Sequence, residues 1–293
     1  VLVTARTLER RLTWMLGSPR SGTTWLGSLL ARSIDAVLID EPLIGAHLAV
    51  QMSSVNSVPD PADLMVHQAS SRRRDYVFSD ETAWVWRPRL RAMLLDRFAA
   101  GIVDSRKPRR APVIIKEPNG ALAAPLLMRT LPRSRLLFVV RDGRDVVDSM
   151  IDGASGGWIS QTHGVTLTAA DRRAFLERRA DQWVHTMRIV GEAFASHPEA
   201  LRLRVRYEDL LDHPVEELER IIRWLGRSFD DATVRRAVDD LSFDNIPPGS
   251  RGPGRFARSA TPGLWRTQFT DDEKQALHQI MGSTLAELGY ATS

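Results

Sequence analysis

The chain has 293 residues, 43% of them hydrophobic, enough to bury a core and to form one large α/β domain as readily as two small ones. Its 40 basic and 36 acidic side chains leave a net charge of +4, a mild excess that suits an anionic ligand without requiring one. The absence of cysteine excludes disulfides, thiolate zinc sites and cysteine nucleophiles. No run reaches the ~18 uninterrupted apolar residues of a membrane span, and a soluble, cytoplasmic protein is the expectation. The basic clusters at 72–74 and 106–110 are short and lack interleaved aromatics, so they read as solvated loops and no nucleic-acid partner is expected.

The first strand is expected at 12–16 and runs straight into Gly17-Ser18-Pro19-Arg20-Ser21-Gly22-Thr23-Thr24. Trp25, Leu26, Leu29 and Leu30 then follow with helical spacing. A second strand at 36–40 ends at Glu41-Pro42, and polar residues 52–82 read as a substrate-side insertion. Strands at 113–115 and 135–140 end at Lys116-Glu117-Pro118 and at Arg141-Asp142-Gly143-Arg144. A helix begins near Asp145 and a long one spans 170–195. A strand at 201–205 ends at Arg206-Tyr207-Glu208, helices follow at 214–226 and 270–289, and 244–263 is loop. Strands alternating with helices predict an α/β fold, one domain over 1–293 with a central parallel sheet flanked by helices. The charged turns all fall at the carboxyl ends of strands, where such sheets bind ligands.

Between a strand and a helix, the segment Gly17–Thr24 has the form of an anion cradle. Gly17 and Gly22 permit positive φ and close backbone approach, and Arg20, Ser21, Thr23 and Thr24 add donors. Thr23 stands where a nucleoside-triphosphate loop carries lysine, and no aspartate for a metal is evident at a neighbouring strand end. A magnesium nucleotide is therefore disfavoured, and no metal is expected. A second anion group combines Arg141, at the end of a buried strand, with Ser149 on the following helix. The alternative for that segment is a surface ion-pair turn.

Pro19-Arg20-Ser21-Gly22-Thr23-Thr24-Trp25 resembles the phosphosulfate loop of sulfotransferases, which use 3′-phosphoadenosine 5′-phosphosulfate (PAPS) and release adenosine 3′,5′-bisphosphate (PAP). Residues 138–149 are similar to that family's 3′-phosphate motif, Tyr207-Glu208-Asp209-Leu210 with Pro214 to its Y-E-D-L…P stretch, and 258–270 to its C-terminal element. The resemblance spans about 12–290 and implies a P-loop nucleotide-binding fold with PAPS as co-substrate. By it, Arg20 contacts the phosphosulfate, and Ser21, Gly22, Thr23 and Thr24 hold the 5′-phosphate. Trp25, Tyr207 and Phe243 attend the adenine, while Arg141, Ser149 and Arg258 bind the 3′-phosphate. Ser259-Ala260 and Arg266 depart from the family's Lys-Gly and Lys.

Arg20 and Lys116 are the expected leaving-group cations. The histidine that serves cytosolic relatives as base is replaced by Pro118, and Glu41 is the expected base, with Glu117 and His47 as alternatives. The acceptor is expected to be a hydroxyl of a small molecule, glycolipid or carbohydrate, in a pocket to which Trp84, Trp86 and Trp158 contribute. Competing readings are a P-loop kinase and a nucleotide-binding module without catalysis. The sequence does not indicate an oligomeric state.

Overall fold

The computed structural model describes residues 5–45, 78–108, 110–164 and 166–291. Five strands form one parallel sheet: β1 (Leu12–Gly17), β2 (Val37–Asp40), β3 (Val113–Lys116), β4 (Arg135–Val140) and β5 (Arg202–Arg206), in the order β2-β3-β1-β4-β5. The register aligns Met15 with Lys116 on one side and with Leu137 on the other. The glycine loop thus leaves the sheet between the turns after β3 and β4, at the point where strand order reverses.

Both faces of the sheet are covered, which is why the central strands read as unbroken apolar runs. All six residues of β1 are buried, and their side chains alternate between two cores. Trp14 and Leu16 join Ile115, Phe138 and Val140 on one face. There they meet helices α3 (Ala83–Asp104), α5 (Gly143–Ala154), α7 (Arg172–Ser196) and α12 (Asp271–Glu287). Met15 joins Ile114, Leu137, Val139 and Val205 on the other face, under α2 (Thr23–Ser33), α9 (Pro214–Trp224) and α10 (Asp231–Asp240). Each fully buried aliphatic side chain contributes roughly 1.5–3 kcal/mol.

Shorter helices complete the chain: α1 (Ala5–Glu9), α4 (Ala124–Thr130), α6 (Trp158–His163), α8 (Tyr207–Asp212) and α11 (Trp265–Gln268). The helix expected near Asp145 begins at Gly143, because Asp142 caps it by accepting from the Arg144 amide at 2.9 Å. Helices α3 and α10 were not anticipated from the sequence. In α3, exposed Trp84, Met93 and Val103 blur the stripe of Trp86, Leu90, Leu94 and Phe98 that faces the core. Trp86 is itself buried and donates to the Ser79 carbonyl at 2.8 Å, so it packs in the core. Among the described residues no helix is long and apolar enough to cross a membrane.

Candidate functional site

The glycine loop shows why its two glycines are needed. A Cβ on Gly17 would lie 2.2 Å from the Val139 carbonyl oxygen, so only glycine lets β1 leave the sheet this close to β4. Gly22 has φ 79°, and a Cβ there would sit 2.3 Å from the Tyr207 ring. Arg20 is also left-handed, with φ 70°, an uncommon state for a side chain of this size and one that clusters at functional sites. Gly22 caps α2 without a side-chain bond, leaving the first amides of the helix for an anion. Ser21 is fully buried, and its hydroxyl has no hydrogen-bond partner.

Arginines gather beside this loop. The Arg141 guanidinium lies 4.6 Å from the Tyr207 ring centroid, donates from Nη1 to the Arg20 carbonyl at 2.8 Å, and keeps a buried, unpartnered Nε. Tyr207 opens α8 directly after β5, so one ring braces both Gly22 and Arg141. Arg20 donates from Nε to the Ser149 hydroxyl at 3.0 Å and from Nη2 to the Phe256 carbonyl at 2.5 Å. Its guanidinium lies 4.5 Å from the Phe256 ring centroid and 5.3 Å from that of Trp158. Arg258 donates to Asp148 at 2.5 Å. Burial, then the charges of Arg141 and Arg258, lower the Arg20 pKa to about 10, against partial support from Tyr207 and Asp152. The three arginines therefore repel one another in a partly dry space, and an anion would relieve that repulsion.

Across β1 stands a different group. Lys116, 3% exposed at the end of β3, donates to Thr24 Oγ1 at 3.0 Å and Glu41 Oε1 at 2.8 Å and forms an ion pair with Asp40 Oδ1 at 2.6 Å. Asn119 donates to the other Glu41 oxygen at 2.6 Å. Glu41 has φ 46°, and its amide donates to the Lys116 carbonyl at 2.8 Å. Glu117 next door is fully buried, and its carboxyl oxygens make no well-aligned hydrogen bond, the Ile44 and Leu43 amides being their polar neighbours. Burial pushes its pKa up to about 7, opposed by the amides of Ile44 and Leu43 and assisted by the charge of Glu41. The turns interlock closely, since a Cβ on Gly45 would meet the Gly120 carbonyl at 2.2 Å.

The structure thus brings together Arg20, Ser21, Gly22, Tyr207, Arg141, Ser149 and Arg258 on one side, and Thr24, Lys116 and Glu41 on the other. Trp25 packs against the core under α2, its Nε1 buried and unpartnered, and Thr23 is buried in the first turn of that helix. Phe243 packs with Arg251, which donates to its carbonyl at 2.9 Å and lies 5.3 Å from its ring centroid. His47 lies outside the described residues. Sequence reasoning missed Asn119, Asp148 and Phe256, whose roles depend on tertiary neighbours. It also missed Glu208, which accepts from the Asp142 amide at 2.9 Å and from the Tyr290 hydroxyl at 2.8 Å, tying the Arg141 turn to the chain end.

The family model "Sulfotransferase family" matches residues 14–231. Protein-tyrosine sulfotransferase A of Caenorhabditis elegans is 28% identical over 145 residues, covering 48% of this chain and 35% of that protein. Protein-tyrosine sulfotransferase 2 of Gallus gallus is 26% identical over 230 residues, covering 77% of this chain and 54% of that protein. The chain therefore spans about a third to half the length of these curated relatives. Mouse sulfotransferase SULT7A1 complexed with PAP shares the fold at TM-score 0.55 and 14% identity, over 96% of this chain and 89% of that one. The sulfotransferase domain of the curacin biosynthetic pathway does so at TM-score 0.55 and 16% identity, over 95% and 97%.

Proposed function

Because the chain belongs to the sulfotransferase family, we propose that it transfers a sulfonate from PAPS to the hydroxyl of a small-molecule, glycolipid or carbohydrate acceptor. The observation that carries the donor is the convergence of Arg20, Arg141 and Arg258 beside an unpartnered, buried Ser21 hydroxyl. Such a set fits a ligand with phosphates at two positions. The cradle of Gly17, Ser21, Gly22 and Thr24 takes the 5′ side, and Arg141, Ser149 and Arg258 take the 3′ side.

The chemistry needs a base for the acceptor hydroxyl and positive charge where the leaving phosphate gains it. Glu41 is the base: the bonds from Lys116 and Asn119 hold both its oxygens at a fixed angle, and its side chain keeps 35% exposure toward an incoming acceptor. Lys116 reaches Thr24 and Glu41 at once, so it links the base to the anion loop and supplies leaving-group charge there. Arg20 is the second leaving-group cation. Its guanidinium bonds to Ser149 and the Phe256 carbonyl, within the arginine cluster that flanks the anion loop.

A thermal-shift titration with PAP, compared with ATP and Mg²⁺, tests this reading, because a ligand of the native state alone must raise the melting temperature. A PAP shift that Arg141→Ala abolishes and ATP does not match supports it. A larger shift with ATP and Mg²⁺ returns the loop to the kinases and sinks the proposal.

A further inference from the structure

Helix α5 carries Asp145, Asp148 and Asp152 at spacings of three and four residues, so all three share one face. Each is committed to the same returning segment. Asp145 accepts from the amides of Gly263 at 2.7 Å and Trp265 at 3.3 Å. Asp152 accepts from the Gly254 amide at 2.8 Å, and its other oxygen lies 3.7 Å from Arg258 Nε. Asp148 takes Arg258 Nη1 at 2.5 Å.

A carboxylate is out of place here on charge alone. Asp148 is 4% exposed and directly precedes Ser149, in a site built for anions, where it would repel a phosphate. Burial raises its pKa and the Arg258 guanidinium opposes that rise, so the two stand as a partnered charge pair. Asp148 holds Arg258 Nη1 and Asp152 lies near its Nε, while among the described residues its Nη2 has no hydrogen-bond partner. Its charge is felt at Arg20, so Arg258 belongs to the arginine cluster.

We propose that Asp148 is a positioning residue, holding Nη1 of the Arg258 guanidinium so that Nη2 is left for an incoming 3′-phosphate. The inference rests on the reading of Arg258 as a 3′-phosphate ligand. An arginine on a segment with left-handed Gly252 and Gly254 would otherwise be ordered anew at each binding event; the aspartates order it in advance.

Positioning and simple repulsion predict opposite signs, and calorimetric titration separates them. PAP and AMP, which lacks the 3′-phosphate, are titrated into the parent, Asp148→Asn, Arg258→Ala and the double variant. Positioning predicts that Asp148→Asn weakens PAP about tenfold or more and AMP by about twofold at most, with no further loss once Arg258 is gone. Tighter PAP binding, equal losses for the two nucleotides, or losses that simply add would overturn it. Amide exchange at 254–258 in the nucleotide-free protein gives an independent arm: faster exchange in Asp148→Asn is expected, and unchanged exchange overturns the inference. A parent that binds neither nucleotide defeats the PAPS reading itself, while the exchange arm still decides whether Asp148 holds the segment.

Discussion

The two sides of β1 solve opposite electrostatic problems. On the β4–β5 side, Arg20, Arg141 and Arg258 crowd together with Asp148 and Asp152 as their acidic neighbours, and polar atoms of Ser21 and Arg141 are buried without partners. On the β2–β3 side, Lys116 meets Asp40, Glu41 and Thr24, and both Glu41 oxygens are bonded. The first side carries crowded positive charge; on the second, Lys116 and Glu41 satisfy each other, and the buried Glu117 carboxyl stands beside them. On the proposed function, a donor would be captured by that positive charge, while Glu41 would act as a base held by neighbours that are already in place.

Breaking the second side at its centre should have the largest effect. Glu41→Gln is expected to lower kcat about 10²–10⁴-fold, the range of a lost general base, while PAP affinity measured by calorimetry stays unchanged. A fall in PAP affinity instead would mean that Glu41 supports the donor loop. Next comes Glu117, whose carboxyl is buried without a well-aligned hydrogen bond. With its pKa raised to about 7, the folded protein keeps a proton that the unfolded chain releases near the ordinary value of 4.5. The stability this carboxyl contributes is complete below 4.5 and is lost as pH rises through about 7, by at most about 3 kcal/mol. Melting curves should therefore show Glu117→Gln matching the parent at pH 4.5 and exceeding it at pH 8; equal melting at both would show that the carboxyl is not buried in its charged form.

Smaller effects sharpen the first side. Gly22→Ala puts a Cβ 2.3 Å from the Tyr207 ring at φ 79°. It should destabilise the protein by about 1–3 kcal/mol in urea titration and weaken PAP, because the ring that it displaces also braces Arg141. Wild-type PAP affinity in this variant would show that Tyr207 does not position Arg141. Tyr290→Phe, which removes the bond to Glu208, should cost about 1 kcal/mol in the same assay, with a few-fold loss of PAP affinity at most.

How far the sequence revealed this arrangement depended on how local each signal was. Strands β1 and β4 are buried on both faces and flanked by glycine or charge, so their largely apolar runs were enough to place each. Gly17, Gly22 and Arg141 were legible for the same reason: their roles belong to the strand-to-helix turn itself. Helix α3 was not legible because Trp84, 79% exposed, and Met93 put large apolar side chains on its solvent face, and Pro88 lies within it. Asn119 looked like an ordinary turn residue until the fold set it against Glu41. The three aspartates of α5 did carry a signal, since carboxylates at i, i+3 and i+7 beside a buried stripe imply a common partner; the partner is more than a hundred residues away in the chain.

The strand order has a consequence for descent. Because β1 stands between the two charge groups, and Lys116 reaches Thr24 from one to the other, the turns after β2 and β3 form a unit apart from those after β4 and β5. Substitutions in the 41–45 and 117–123 turns are therefore expected to leave the contacts of Arg20, Arg141 and Arg258 intact, so that the two halves are free to change separately.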